Sequence, residues 1–172
     1  MSLYYVIIFK DENSRSDYIK LHLEDDLIER GIVPNREVQI RRNTGGATGE
    51  NTDIHVDAVI PDGGAGAYNK ASVIIEVKGC WHPELETAMK PQLIDRYLKE
   101  SQCQHGLYGV GWFNCPQWGR DDPRHKQMPK YDIEEARRRF ETQALEVSRG
   151  AVRVKASAIN IALRQPAHRS GP

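Results

Sequence analysis

A mixed α/β layer fold is the architecture this sequence predicts, on three observations. Apolar residues recur at helical spacing near the N-terminus, a β-branched hairpin with a glycine-rich tip follows, and helix and strand patterns then alternate toward the C-terminus. At 172 residues and 19.6 kDa the chain has the size of one domain, so residues 1–172 are read as a single unit. Residues 114–172 read as a loop, a helix and a basic C-terminal extension.

Leu3 to Phe9 is a short apolar run without a basic leader or a small-residue cleavage site, and it passes directly into Lys10, Asp11 and Glu12. It reads as a strand. From Ser14 to Arg30 the residues Tyr18, Leu21, Leu27 and Ile28, with Ile19 and Leu23 beside them, predict a helix that Gly31 and Pro34 stop. Glu37 to Arg42 reads as a short strand. Thr52 to Ile60 then alternates, with Asp53, His55 and Asp57 on one face and Ile54, Val56 and Ala58 on the other, as a half-buried strand does.

Ala71 to Lys78 is a β-branched run backed by Gly79, and the glycine-rich tip before it makes the two segments an antiparallel hairpin. Glu84 to Ser101 places Leu85, Ala88, Met89, Gln92, Leu93 and Tyr97 on a helical stripe, with Pro91 at a kink or near the first turn. Gly106 to Phe113 predicts another buried strand, followed by a loop rich in Pro, Gly and Asp through Pro129. Asp132 caps an amphipathic helix that runs to Val147, and Ala151 to Leu163 closes the chain as a strand or a strand plus helix.

Composition narrows the function classes. With 24 Lys+Arg against 24 Asp+Glu the formal charge is zero, which excludes a polybasic, histone-like chain. The 28% charged and 39% apolar residues exclude a disordered tail, and no apolar stretch approaches the ~18 residues that cross a bilayer, so no membrane partner is expected. Cys80, Cys103 and Cys115 are an odd, scattered set that suits a reducing, cytoplasmic setting better than a disulfide framework. The neutrality is a sum of opposites: residues 1–119 carry 12 basic and 17 acidic groups, net −5, and residues 120–172 carry 12 basic and 7 acidic groups, net +5.

Chemistry concentrates on the hairpin. Glu76 and Lys78 are two residues apart and share a face, while Val73, Ile75 and Val77 point to the opposite one. If the hairpin turns about Gly66 and Ala67, Asp57 stands opposite Glu76, His55 opposite Lys78 and Asp53 opposite Cys80, with Cβ atoms ~5 Å apart. Carboxylates held that close repel unless a cation sits between them. An all-oxygen site of carboxylates, a backbone carbonyl and water suits Mg²⁺ or Mn²⁺. Such a cation beside a lysine describes phosphodiester hydrolysis.

Asp57 followed by Glu76-Val77-Lys78 resembles the D…(D/E)-x-K motif of the PD-(D/E)XK nuclease superfamily, whose restriction-endonuclease-like core is a helix, a three-stranded meander, a second helix and a fourth strand. The resemblance covers residues 14–113 and implies a three-layer core with a mixed central sheet flanked by helices. It also implies Mg²⁺- or Mn²⁺-dependent cleavage of DNA, with Asp57, Glu76 and the carbonyl of Val77 as metal ligands and Lys78 as the catalytic amine. Asp53 is a second ligand, the ligand itself if a bulge shifts the register, or a strand-start acid. Some branches of the superfamily carry Gln-x-x-x-Tyr on the next helix. Gln92-x-x-x-x-Tyr97 is one residue longer, and by this resemblance Gln92 joins the site. The first-helix acid of some members corresponds to Glu24 or Glu29.

Plainer readings stand beside these. Acid-x-Lys is by itself a common solvated sheet face, and His55 is more often a hydrogen-bonded strand residue than a base. Cys80, His82, Cys103, His105 and Cys115 lack the usual zinc-knuckle spacing, and three cysteines do not make the set that an iron-sulfur cluster requires. Arg137, Arg138 and Arg139, with Arg120, Arg124, Lys126, Lys130, Arg149, Arg153 and Lys155, form either a solvated face or a phosphate-contacting rim. Trp112, Trp118 and Tyr131 read as packing residues. The leading expectation is a nuclease domain of a defence or repair system that relies on a homodimer mate, a fused recognition domain or a partner NTPase. The alternative is a non-catalytic nucleic-acid-binding or assembly domain with the same fold.

Overall fold

In the computed structural model, residues 12–27, 32–36, 39–41, 50–51, 53–61, 68–114, 118–119 and 121–162 are described. The expected strand at Leu3 to Phe9, the hairpin tip, Glu29, Cys115 and Arg120 lie outside them. The elements are α1 (Glu12–Leu27), β1 (Ile32–Arg36), β2 (Gln39–Arg41), β3 (Glu50–Asn51), β4 (Ile54–Pro61), β5 (Tyr68–Gly79), α2 (Met89–Leu98), β6 (His105–Trp112), α3 (Ile133–Val147) and β7 (Arg153–Asn160). A five-stranded sheet has the order β1-β4-β5-β6-β7. Its β1/β4 and β4/β5 pairs are antiparallel, and β5/β6 and β6/β7 are parallel, so the sheet is mixed.

Strand alternation gives this sheet two apolar faces. On one, Ile54, Ile75 and Val77 are buried together with Val56, Val73 and Leu107, and Ile19 and Leu23 of α1 close over them. On the other, Ile74, Tyr108, Val110, Val154 and Ala158 pack against Met89, Leu93, Tyr97 and Leu98 of α2 and Ala136, Phe140 and Ala144 of α3. The chain is therefore an α/β layer structure with β5 at its centre, covered on both sides. No helix among the described residues is long and apolar enough to cross a membrane.

Three elements differ from the sequence expectation. The outer strand of the sheet is Ile32–Arg36, a segment in which Gly31 and Pro34 read as a helix stop, whereas Gln39–Arg41 pairs only with β3 in a separate ribbon. Pro34 faces Val56 from an edge strand, the place in a sheet that tolerates a residue without an N–H. The helix expected from Glu84 begins later, after a run of turns over 83–88, and α2 is a π-helix rather than an α-helix. The closing segment resolves as the strand β7. At α3 the expected cap is present: Asp132 Oδ1 accepts from the Glu135 N–H at 2.8 Å, and Glu134 and Glu135 fill the first turn.

Two positions set how α2 sits on the sheet. Gly106 of β6 lets the helix approach closely, because a Cβ there would lie 3.1 Å from Leu93 Cδ2 and 3.2 Å from Leu98 Cδ1, both fully buried. Past the helix, Gln102 turns the chain with φ 53°, a left-handed conformation that favours glycine. Gly106→Ala is expected to destabilise the fold by about 1–3 kcal/mol in urea denaturation, because a Cβ within 3.2 Å of both buried leucines forces them to shift. Gln102→Gly relieves its turn and is expected to raise stability by up to about 1 kcal/mol in the same measurement.

Candidate functional site

The hairpin register decides which acid meets Glu76. Pro61 faces Tyr68, so the ladder is centred earlier than Gly66 and Ala67, and Asp57 faces Ser72 while His55 faces Ile74. The expected partners, Asp57 with Glu76 and His55 with Lys78, are corrected by this register. One step beyond the last pair, Ile54 with Ile75, brings Asp53 level with Glu76, and Asp53 Oδ2 accepts the Val77 N–H at 2.7 Å. Asp53 does not face Cys80. It is the acid that the fold delivers to Glu76-Val77-Lys78.

This hydrogen bond has a local cause. β4 begins at Ile54, so beyond that point the β5 backbone has no strand partner on the β4 side among the described residues, and the Asp53 side chain takes the place of a ladder bond. A strand residue directs its N–H and C=O to the same side, so the Val77 carbonyl opens toward the same gap.

Glu76 and Lys78 do share a face, as expected, but it is an interior one. Glu76 is 1% and Lys78 6% exposed, with Lys78 Nζ 2.7 Å from Glu76 Oε1. Tyr97 reaches the same group from α2. Burial, then the charges of Glu76 and Asp53, push its hydroxyl up to about 12, while Lys78 and Arg96 pull the other way. Asp53, Glu76, Lys78 and Tyr97 thus form one electrostatic unit.

The π geometry of α2 accounts for the irregular motif spacing. A π-helix closes its hydrogen bonds over five residues, so Gln92 and Tyr97 stand about one turn apart on one face, as residues four apart do in an α-helix. Gln92 Nε2 donates to Glu84 Oε2 at 2.7 Å, while Gln92 Oε1 is buried and accepts no hydrogen bond among the described residues. Glu84 was not singled out by the sequence. Nothing local marks it, because its partner lies on the next element.

The remaining candidates serve other ends. Asp57 accepts from Ser72 Oγ at 2.6 Å and lies 3.0 Å from Lys70 Nζ and 3.2 Å from His55 Nε2, a polar cluster toward the hairpin tip. Partial burial raises its pKa, but the Ser72 and Lys70 contacts and the His55 charge outweigh burial and hold the carboxyl below its ordinary value. Glu24 pairs with Lys20 at 2.7 Å on α1, which covers the opposite face of the sheet. Arg137 pairs with Glu134 at 2.5 Å, Arg138 with Glu135, and Arg139 with Glu135 at 2.8 Å, so this row is tied to its own helix. Arg124 is bound to Asp122 at 2.7 Å. Trp112 stacks on Tyr131, and Trp118 packs edge-on to Trp81 and Phe113, as packing residues do.

Among the described residues no group of three or more His, Cys, Asp and Glu side chains could hold a metal. Zinc-type ligation therefore has no support there. Cys80 instead receives the Phe113 N–H at 3.3 Å, and Cys103 donates to the Ser72 carbonyl at 3.0 Å. Of the oxygens a hard cation would need, Asp53 Oδ2 takes the Val77 N–H and Glu76 Oε1 faces Lys78 Nζ.

Asp57→Asn is expected to lower stability by about 1 kcal/mol at neutral pH, where the depressed carboxylate contributes fully. The gap between variant and wild type is expected to close as pH falls below about 3.8 and through the folded value, in urea denaturation at both pH values. Comparison with protein-family models, with curated proteins and with solved structures returns no match to this chain.

Proposed function

We propose that this chain is a restriction-endonuclease-like nuclease domain that hydrolyses DNA phosphodiester bonds with Mg²⁺ or Mn²⁺. The observation that carries the reading is the Asp53 carboxylate on the Val77 N–H, which sets an acid beside Glu76 and Lys78 at the end of β4. Asp53, Glu76 and the Val77 carbonyl would hold the cation, with Asp53 taking the place first expected for Asp57. A bound divalent cation supplies Lewis acidity toward a phosphoryl oxygen and toward water.

The protein's own groups do the rest. Lys78 neutralises Glu76 at 2.7 Å, and a cation held by that carboxylate would leave the Lys78 ammonium to offset the charge of the phosphate. Tyr97, with its hydroxyl raised to about 12, keeps its proton at neutral pH and serves as a donor. In hydrolysis the oxygen of a water molecule forms a new P–O bond as the P–O bond to the leaving oxygen breaks, and the proton that the water gives up balances the one the leaving oxygen takes up. The arginines of α3 are engaged with their own acids, so a homodimer mate, a fused recognition domain or a partner NTPase completes the grip on DNA.

One observation favours a second reading, a binding or assembly domain that keeps the fold without cleaving: the closed, buried contact between Lys78 and Glu76. Incubation of plasmid and linear DNA with Mg²⁺ or Mn²⁺ separates the two. Cleavage is expected from the wild type and from Asp57→Asn. Asp53→Asn, Glu76→Gln and Lys78→Ala are each expected to lose at least about a hundredfold, with urea denaturation alongside because removing one member of the buried Glu76–Lys78 pair leaves the other charge uncompensated. Undiminished cleavage by an Asp53→Asn/Glu76→Gln double variant would sink the nuclease reading, and a wild type that binds DNA without cutting it points to the binding module. Parallel incubation with RNA reads out the substrate preference.

A further inference from the structure

Gln92 presents a choice that chemistry settles. Its amide has a donor end and an acceptor end, and one of the two must face Glu84. A carboxylate only accepts, so the NH₂ group turns to Glu84 Oε2 at 2.7 Å and the carbonyl Oε1 is left in the interior. The reverse orientation would place two oxygens in repulsive contact.

Glu84 is itself held in place. Its N–H donates to His82 Nδ1 at 3.1 Å, and its carbonyl accepts from the N–H groups of Thr87 at 3.0 Å and Ala88 at 2.8 Å. The next carbonyl, of Leu85, accepts from the buried Tyr108 hydroxyl at 2.8 Å, and that of Glu86 accepts from Gln143 Nε2 at 2.8 Å. The turn over 83–88 is thus pinned to β6 and α3, and the exposed Glu84 side chain has a fixed root.

We infer that Glu84 is a positioning residue that orients the Gln92 amide, so that Oε1 is presented as a further oxygen to the cation site of Asp53, Glu76 and Val77. This rests on the nuclease reading above. Ile74, on the same face of β5 as Glu76, clusters with Met89, Leu93, Tyr97 and Leu98 of α2, so α2 lies over the face that carries Glu76, and Gln92 sits one π-turn from Tyr97 on that helix. Glu84 touches neither cation nor substrate. It acts through Gln92, as outer partners of metal ligands do when they fix a ligand's orientation.

Mn²⁺ titration by calorimetry tests this, with urea denaturation of the metal-free proteins alongside. Glu84→Lys only donates, so it turns the Gln92 carbonyl outward. It is expected to weaken Mn²⁺ binding about tenfold, with metal-free stability unchanged. Glu84→Gln, whose own carbonyl still takes the amide hydrogens, is expected to stay within about threefold of wild type. In a Gln92→Ala background Glu84→Lys is expected to cost nothing further.

An equal loss in both backgrounds would assign the effect to charge alone and overturn the inference, as would a Glu84→Lys protein that binds like wild type. Either result leaves the nuclease site standing. A wild-type chain that takes up no Mn²⁺ overturns that site and this assignment together.

Discussion

Glu76 and Lys78 stand opposed at 2.7 Å inside the central strand, 1% and 6% exposed, and much of the structure is arranged around that pair. Each charge removed from water costs several kcal/mol, and the attraction between them offsets this only while both are present. The opposite side of β5 is sealed by Val73, Ile75 and Val77 beneath α1, and the charged side is roofed by α2. A group that takes over the charge of Glu76 therefore changes the state of Lys78 directly, which links the stability of β5 to any chemistry performed there.

The gap at the start of β4 gives this pair its third member. Strand pairing stops at Ile54, and Asp53 satisfies the Val77 amide that the ladder would otherwise have bonded. The same gap that demands a substitute acceptor admits the carbonyl of Val77. Structural need and chemical opportunity fall on one residue. Asp57, four residues further along β4, has the same face and side-chain chemistry but a full set of local partners in Ser72, Lys70 and His55.

The helix over the site is shaped to match. Gly106 allows Leu93 and Leu98 to press onto β6, and the π geometry brings Gln92 and Tyr97 onto one face although five positions separate them. An α-helix of the same sequence would turn Tyr97 about 100° away from that alignment. The turn over 83–88, fastened by Tyr108 and Gln143, then supplies Glu84 to Gln92.

Much of the fold was legible from local pattern. The alternation of elements, the half-buried and fully buried strands, the Asp132 cap and the shared face of Glu76 and Lys78 follow from side-chain parity and capping chemistry, which belong to short segments whatever surrounds them. Pro34 misled because a proline reads the same in a helix stop and in an edge strand, and only the sheet order tells which it is. Register, burial and helix type are decided elsewhere. Where β4 stops, which acid meets Glu76, whether the Glu76 face is wet or dry, and whether Gln92 and Tyr97 align depend on how layers pack across many residues of separation. The sequence by itself determined which chemical groups the hairpin carries and on which face. Tertiary structure alone decided that Asp53 completes the group, because a register is set by the packing of two strands together and is not encoded in either one.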